Sequence, residues 1–172
     1  DARESLMRTL TRFGRGESVP TLAALMDHPD QHLRDAARQA LAVNPSPEAD
    51  RALREALKEG VDARRVAGLV FAIGCRAEPG AAGVLAPYLR HKDPRVFEAA
   101  AKGLARTGTM DALNALLKAR KSAGDARRQT LTDALFDGAG RMEAAGENRA
   151  AARIYFTLYD AVEPEHVQAI AL

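Results

Sequence analysis

Residues 22–42 of this chain repeat at 85–105, an offset of 63. Leu22, Ala23, His28, Asp30, Ala36, Ala37, Leu41 and Ala42 recur as Leu85, Ala86, His91, Asp93, Ala99, Ala100, Leu104 and Ala105. Asp62-Ala63-Arg64-Arg65 returns at the same offset as Asp125-Ala126-Arg127-Arg128. Self-similarity of this period is the mark of a stacked array. One unit cannot bury its own apolar face, so neighbours must cover it. Such arrays work by presenting a surface more often than by reacting.

The period divides into two units of about 31 residues, each reading as a helix pair. In the second helix of each pair an apolar position follows an acidic residue, at Leu33, Ala63, Val96, Ala126 and Val167, with Ala2 doing the same in a partial unit. Small pairs follow at Ala36-Ala37, Val66-Ala67 and Ala99-Ala100, then apolar pairs at Ala40-Leu41, Val70-Phe71 and Gly103-Leu104. These spacings fall on one face of a 3.6-residue helix. Asp30, Asp62, Asp93 and Asp125 stand where N-caps belong. Pro94 takes the first helical position, where its missing N–H is harmless. Gly14, Gly60, Gly74 and Gly108 read as helix stops.

Helices are expected at 2–13, 19–27, 31–43, 48–59, 62–73, 79–90, 94–107, 110–122, 125–137, 147–160 and 164–172, with no strand. The expected core is Leu22, Leu25, Leu33, Ala37, Leu41, Leu53, Phe71, Leu85, Val96, Ala100, Leu104, Leu116 and Leu135. Residues 1–172 read as a single domain, with a variant repeat over 138–172. The chain opens on Asp1 and ends on Ile170-Ala171-Leu172 within an apolar helical pattern, so both ends read as cut from something longer.

Hydrophobic residues make up 47% of the chain, too many for disorder, and with no Trp the core must come from Ala, Leu and Val. The 25 basic and 23 acidic residues nearly cancel, which argues against nucleic acid as the partner. Cys75 is the only cysteine, so no intrachain disulfide forms; this fits a cytoplasmic protein and leaves a periplasmic one open. No apolar run is long enough to span a membrane.

Little in the sequence points to chemistry. His28 and His32 are four residues apart, but Pro29 intervenes and no third ligand is near, so no metal site is expected. His28-Pro29-Asp30 matches the J-domain chaperone tripeptide, yet its recurrence as His91-Lys92-Asp93 marks it as turn chemistry. Cys75 would be reactive if exposed beside Arg76, but reads better as a small, partly buried residue. Gly138-Ala139-Gly140 lacks the context of a dinucleotide loop and reads as a bend between repeats. No cofactor and no catalytic residues are expected.

The pattern Leu22-x-x-Leu25-Met26-x-x-Pro29-Asp30-x-x-Leu33-Arg34-x-Ala36-Ala37-x-x-Ala40-Leu41 resembles a HEAT repeat, in particular the short units of bacterial proteins and of phycobilisome-lyase-type repeats. The unit at 85–104 repeats it, with Phe97 where the family favours Arg. The resemblance covers roughly residues 1–138; the stretch 147–160 looks more like a tetratricopeptide first helix. It implies a right-handed α-solenoid of stacked antiparallel helix pairs, all-α, whose second helices line a concave side.

Two expectations concern surface charge. Arg34, Arg64 and Arg127, with Arg3 in the partial unit, should recur at equivalent places and form a ladder with the cap aspartates. A protein partner should meet the exposed side of the second helices at Asp35, Arg38, Arg65, Glu98, Lys102 and Arg128. The reading is a non-catalytic protein–protein interaction scaffold. A nucleic-acid-binding HEAT-like protein and a bilin-lyase-type enzyme are the alternatives.

Overall fold

A computed structural model describes residues 16–58, 62–78 and 80–162, with side chains to Tyr159. The expected helices at 2–13 and 164–172, with Ala2, Arg3, Gly14, Gly60 and Val167, lie outside the described residues. After a 3-10 turn at Gly16–Ser18, the helices are α1 (Val19–Leu25), α2 (Gln31–Val43), α3 (Pro47–Lys58), α4 (Ala63–Arg76), α5 (Ala81–Leu85, extended by a 3-10 turn at Ala86–Arg90), α6 (Pro94–Thr107), α7 (Met110–Lys121), α8 (Asp125–Ala144) and α9 (Asn148–Val162). Among the described residues there is no strand. Successive helices pair, and the even-numbered helices also pack on one another in order: α2 on α4, α4 on α6, α6 on α8. This is an all-α solenoid with a single continuous apolar cluster running from Val19 to Leu158.

The caps hold most of the punctuation. Asp30 accepts from the His32 N–H, Asp62 from those of Arg64 and Arg65, and Asp93 from that of Arg95. The His28 and His91 imidazoles each accept, through Nδ1, from the backbone N–H two residues on, at 3.0 and 3.1 Å. The repeated His-x-Asp is therefore one turn built twice. The fourth unit differs from expectation: Gly124 occupies the N-cap position and Asp125 is already inside α8.

Two glycine expectations fail for the same reason, close helix packing. Gly74 does not stop α4, which continues to Arg76 and ends on Ala77 at φ 52°. A Cβ on Gly74 would lie 2.3 Å from the Gly103 Cα, so the two glycines let the α4 and α6 backbones touch. Gly138-Ala139-Gly140 is no bend; it lies within the 20-residue α8, with Gly138 and Ala139 buried. A Cβ on Gly138 would stand 3.5 Å from the Ala105 Cα of α6, and a Leu113 methyl fills the space beside it. The helix passes through the glycines because they seat it on its neighbours.

Of the expected core, Phe71 is on the surface at 38% exposure, while Leu25 and Leu33 are half-buried. Register explains Phe71. Counted from the caps Asp30, Asp62 and Asp93, the eleventh residue on is Leu41, Ile73 and Leu104, all with no exposure. Phe71 is the ninth, the place of Gln39 and Lys102, which face solvent.

The two rows are spaced differently. Even-numbered helices meet backbone to backbone at Gly74 and Gly103. The odd-numbered row leaves open grooves of about 750 Å³ between α3 and α5 and about 600 Å³ between α5 and α7. The even row is thus the more closely packed of the two.

Candidate partner-binding face

The solvent-facing stripe of the even row follows the same cap register. Asp35 and Gln39 lie on α2, Arg64 and Phe71 on α4, Arg95, Glu98, Lys102 and Arg106 on α6, and Gln129 and Asp133 on α8. Phe136, the twelfth residue after Gly124, takes the place of Ala42, Gly74 and Ala105 and borders the stripe on the side of α9. Three of the six expected contact residues stand here: Asp35, partly exposed, and Glu98 and Lys102, exposed. The other three do not.

Arg38 is buried at 9% exposure, paired with Asp35 and pressed over Gly68 of α4, whose missing Cβ makes room for it. Its burial, followed by the nearby guanidinium of Arg34, holds its pKa below the ordinary value. Arg65 is the third residue after its cap, where Leu33 and Val96 stand in other units, and its side chain is only 17% exposed. It reaches back to Asp27 in the turn of the preceding unit, at 2.5 Å. Arg128 sits at the start of α8, off the stripe, and donates to the Ala123 carbonyl and to Asp125.

The arginine ladder takes another form. Arg34, Arg64 and Arg127 are the fourth, second and third residues after their structural N-caps, so they are not equivalent. Arg34 donates to the carbonyls of His28 and Pro29, both at 2.7 Å. Arg127 donates to the His91 carbonyl at 2.8 Å. Arg64 is exposed and, among the described residues, pairs with no carboxylate. The equivalent pair is Arg65 and Arg127: each is the third residue after its cap, and each ties its helix to the turn of the unit before.

Arg76 makes the deepest of these ties, one that no sequence pattern announces. Its side chain is 2% exposed. It donates to the carbonyls of Leu41, Asn44 and Ser46, and to Glu78 at 3.1 Å. It thereby satisfies the orphan carbonyls at the end of α2 from the end of α4. Asn44 beneath it donates to Ser18 and accepts from the Ser46 N–H.

Arg76 therefore points away from Cys75. The guanidinium near that half-buried thiol is Arg106, and burial outweighs it, pushing the thiol pKa up. A raised thiol is a poor nucleophile at neutral pH. Among the described residues no three metal-ligating side chains converge, and no helix is long and apolar enough to cross a membrane.

What the sequence reading missed on this face is its aromatic content. Phe71 is capped by the Arg106 guanidinium at 5.7 Å from its centroid. Phe136, 49% exposed, stacks at 6.0 Å on Tyr155, with Phe156 and Tyr159 of the same helix more exposed still. Phe71 at its solvent-facing register position, and the exposed aromatics of α8 and α9 beside it, bury little on folding and are available to a partner.

A family model described as HEAT repeats matches residues 1–74 and 62–135. No curated protein matches the chain.

Proposed function

The chain belongs to the HEAT-repeat family, and from that premise we propose that it is a non-catalytic scaffold holding a partner protein against the inside of its curve. The observation that carries this is the stripe on α4, α6 and α8, where Phe71 stands against Arg106 with Glu98 and Lys102 on the same helix, and the exposed Phe136 borders it. Exposed aromatics interleaved with both signs of charge suit a protein surface, in which apolar anchors carry the energy and rim charges set register. A nucleic-acid groove would carry a more uniform basic strip. Asp35, Glu98 and Lys102 are the contact residues proposed from charge, and Phe71 and Phe136 the anchors.

The test compares wild type with Phe71→Ala/Phe136→Ala and with Lys102→Glu, using crosslinking in the source cells and quantitative recovery. Thermal melts serve as the control for folding. Loss of the same crosslinked partners from both variants, with melts unchanged, supports the proposal. Equal recovery from all three proteins overturns it.

The nucleic-acid reading has one observation in its favour. Arg90, Lys92, Lys118, Arg120, Lys121 and Arg128 gather in and around the turns that close the third and fourth units. A DNA affinity falling steeply with salt would support that reading.

A further inference from the structure

Among the described residues the odd-numbered row carries two grooves with different charge. The one between α3 and α5 mixes both signs: Asp50–Arg54 and Glu55–Lys58 pair, and Arg51 is the one lining charge left without an ion pair among the described residues. The groove between α5 and α7 has an apolar floor that includes Leu89 and Leu131, and among the described residues its only charged lining residues are Arg90 and Lys118. Both are exposed, and among the described residues neither makes an ion pair. This groove continues along α5 into a second cavity of about 670 Å³, the two sharing Gly83, Ala86 and Ala115. Asp111 lies at that far end, beside a Glu78 already held by Arg76.

We infer that this trough docks a helical segment of a partner protein, with aliphatic side chains seated over Gly83, Ala86 and Ala115 and carboxylates against Arg90 and Lys118. The trough follows α5 and its 3-10 extension for about ten residues, roughly 15 Å at helical rise. Its walls are Ala and Gly, so a second helix can approach closely and press short aliphatic groups into the floor. An ordinary helix carries acids in its first turn and bases in its last. Such a helix fits antiparallel to α7, its acidic start at Lys118 and its basic end at Asp111. A phosphate backbone would use the two cations and leave the apolar floor unfilled. This inference concerns the face opposite the proposed scaffold surface and does not depend on it.

The probe is a random helical peptide library displayed on phage and selected on the whole chain. Selected peptides are then titrated by fluorescence anisotropy on wild type, Gly83→Leu, the double variant Arg90→Glu/Lys118→Glu, and Phe71→Ala. A Cβ on Gly83 meets nothing within 4 Å, so Gly83→Leu fills the trough while leaving the core alone. The expected peptides carry aliphatic residues at helical spacing with acids at the N-terminal end. They lose at least about tenfold in affinity on Gly83→Leu and on the double reversal, and nothing on Phe71→Ala. No enrichment, peptides without acids, or binding indifferent to Gly83→Leu would overturn the inference. Single-stranded DNA binding that Arg90→Glu/Lys118→Glu abolishes and Gly83→Leu does not would overturn it too, assigning the cations to nucleic acid.

Discussion

The Arg127 guanidinium lies 4.6 Å above the centroid of the Phe97 ring and passes over it to reach the His91 carbonyl. Phe97 is the fourth residue after its cap, where the first unit has Arg34. In the first unit Arg34 itself fills the turn carbonyls, and Arg65 of the next unit takes Asp27 instead. Exchanging Arg for Phe at one register position hands the turn to the following repeat.

Arg127→Ala should cost about 1–2 kcal/mol, since it removes both the stacking on Phe97 and the hydrogen bond to His91. Arg65→Ala should cost a similar amount. Arg64→Ala, one residue away but exposed, should stay within about 0.5 kcal/mol. Urea unfolding of the three variants checks this; equal effects would remove the distinction between Arg64 and Arg65.

Gly74→Ala and Gly83→Ala should move stability in opposite directions. Both replace a helical glycine, which by propensity alone favours Ala by up to about 1 kcal/mol. At Gly83 that gain is free of any contact. At Gly74 the new methyl meets the Gly103 backbone at 2.3–2.7 Å, and neither helix can yield without shifting. The cost there should reach about 3 kcal/mol. Thermal melts of the pair give the signs directly.

Arg76→Met keeps the length of the side chain and removes every donor. Three main-chain carbonyls and Glu78 then lose their partner inside a site only 2% exposed. A loss of about 2–3 kcal/mol is expected. Hydrogen exchange should quicken first in α2 and in the turn that follows it.

Acid should weaken the third unit through Asp93. The Arg95 side chain, helped by its backbone N–H, lowers the Asp93 carboxyl from 3.8 to about 2. A depressed folded value means that the stabilisation is complete above the unfolded value. It is lost as pH falls from 3.8 through about 2. Asp93→Asn keeps a capping oxygen but no charge. The melting temperature gap between wild type and Asp93→Asn should therefore narrow across that window; a constant gap would refute the assignment.

The array was legible where it rests on period and caps. The 63-residue offset and the aspartates at 30, 62 and 93 place the helix pairs, and Leu41, Leu85 and Leu104 are core as expected. Phe71 departs from the expected core because register decides burial before hydrophobicity does: two residues on, Ile73 completes the buried series. Arg38 and Arg65 looked like surface because charge suggests water. Each is buried by a neighbour absent from its own helix, Gly68 for one and the Asp27 turn for the other. The tie from Arg76 to the preceding unit carried no signal, since its partners there are carbonyls 30 to 35 residues away and carbonyls leave no trace in a sequence.

That last property bears on how such arrays change over time. Toward the preceding unit Arg76 recognises only main-chain oxygens, its one carboxylate partner, Glu78, lying in its own unit, so it makes no demand on which side chains that neighbour carries. The turn at 41–46 can drift in composition, provided that its backbone path is kept, and Arg76 will still hold it. Adjacent units joined in this way are free to diverge independently, and a duplicated unit can be inserted without a matching substitution next door.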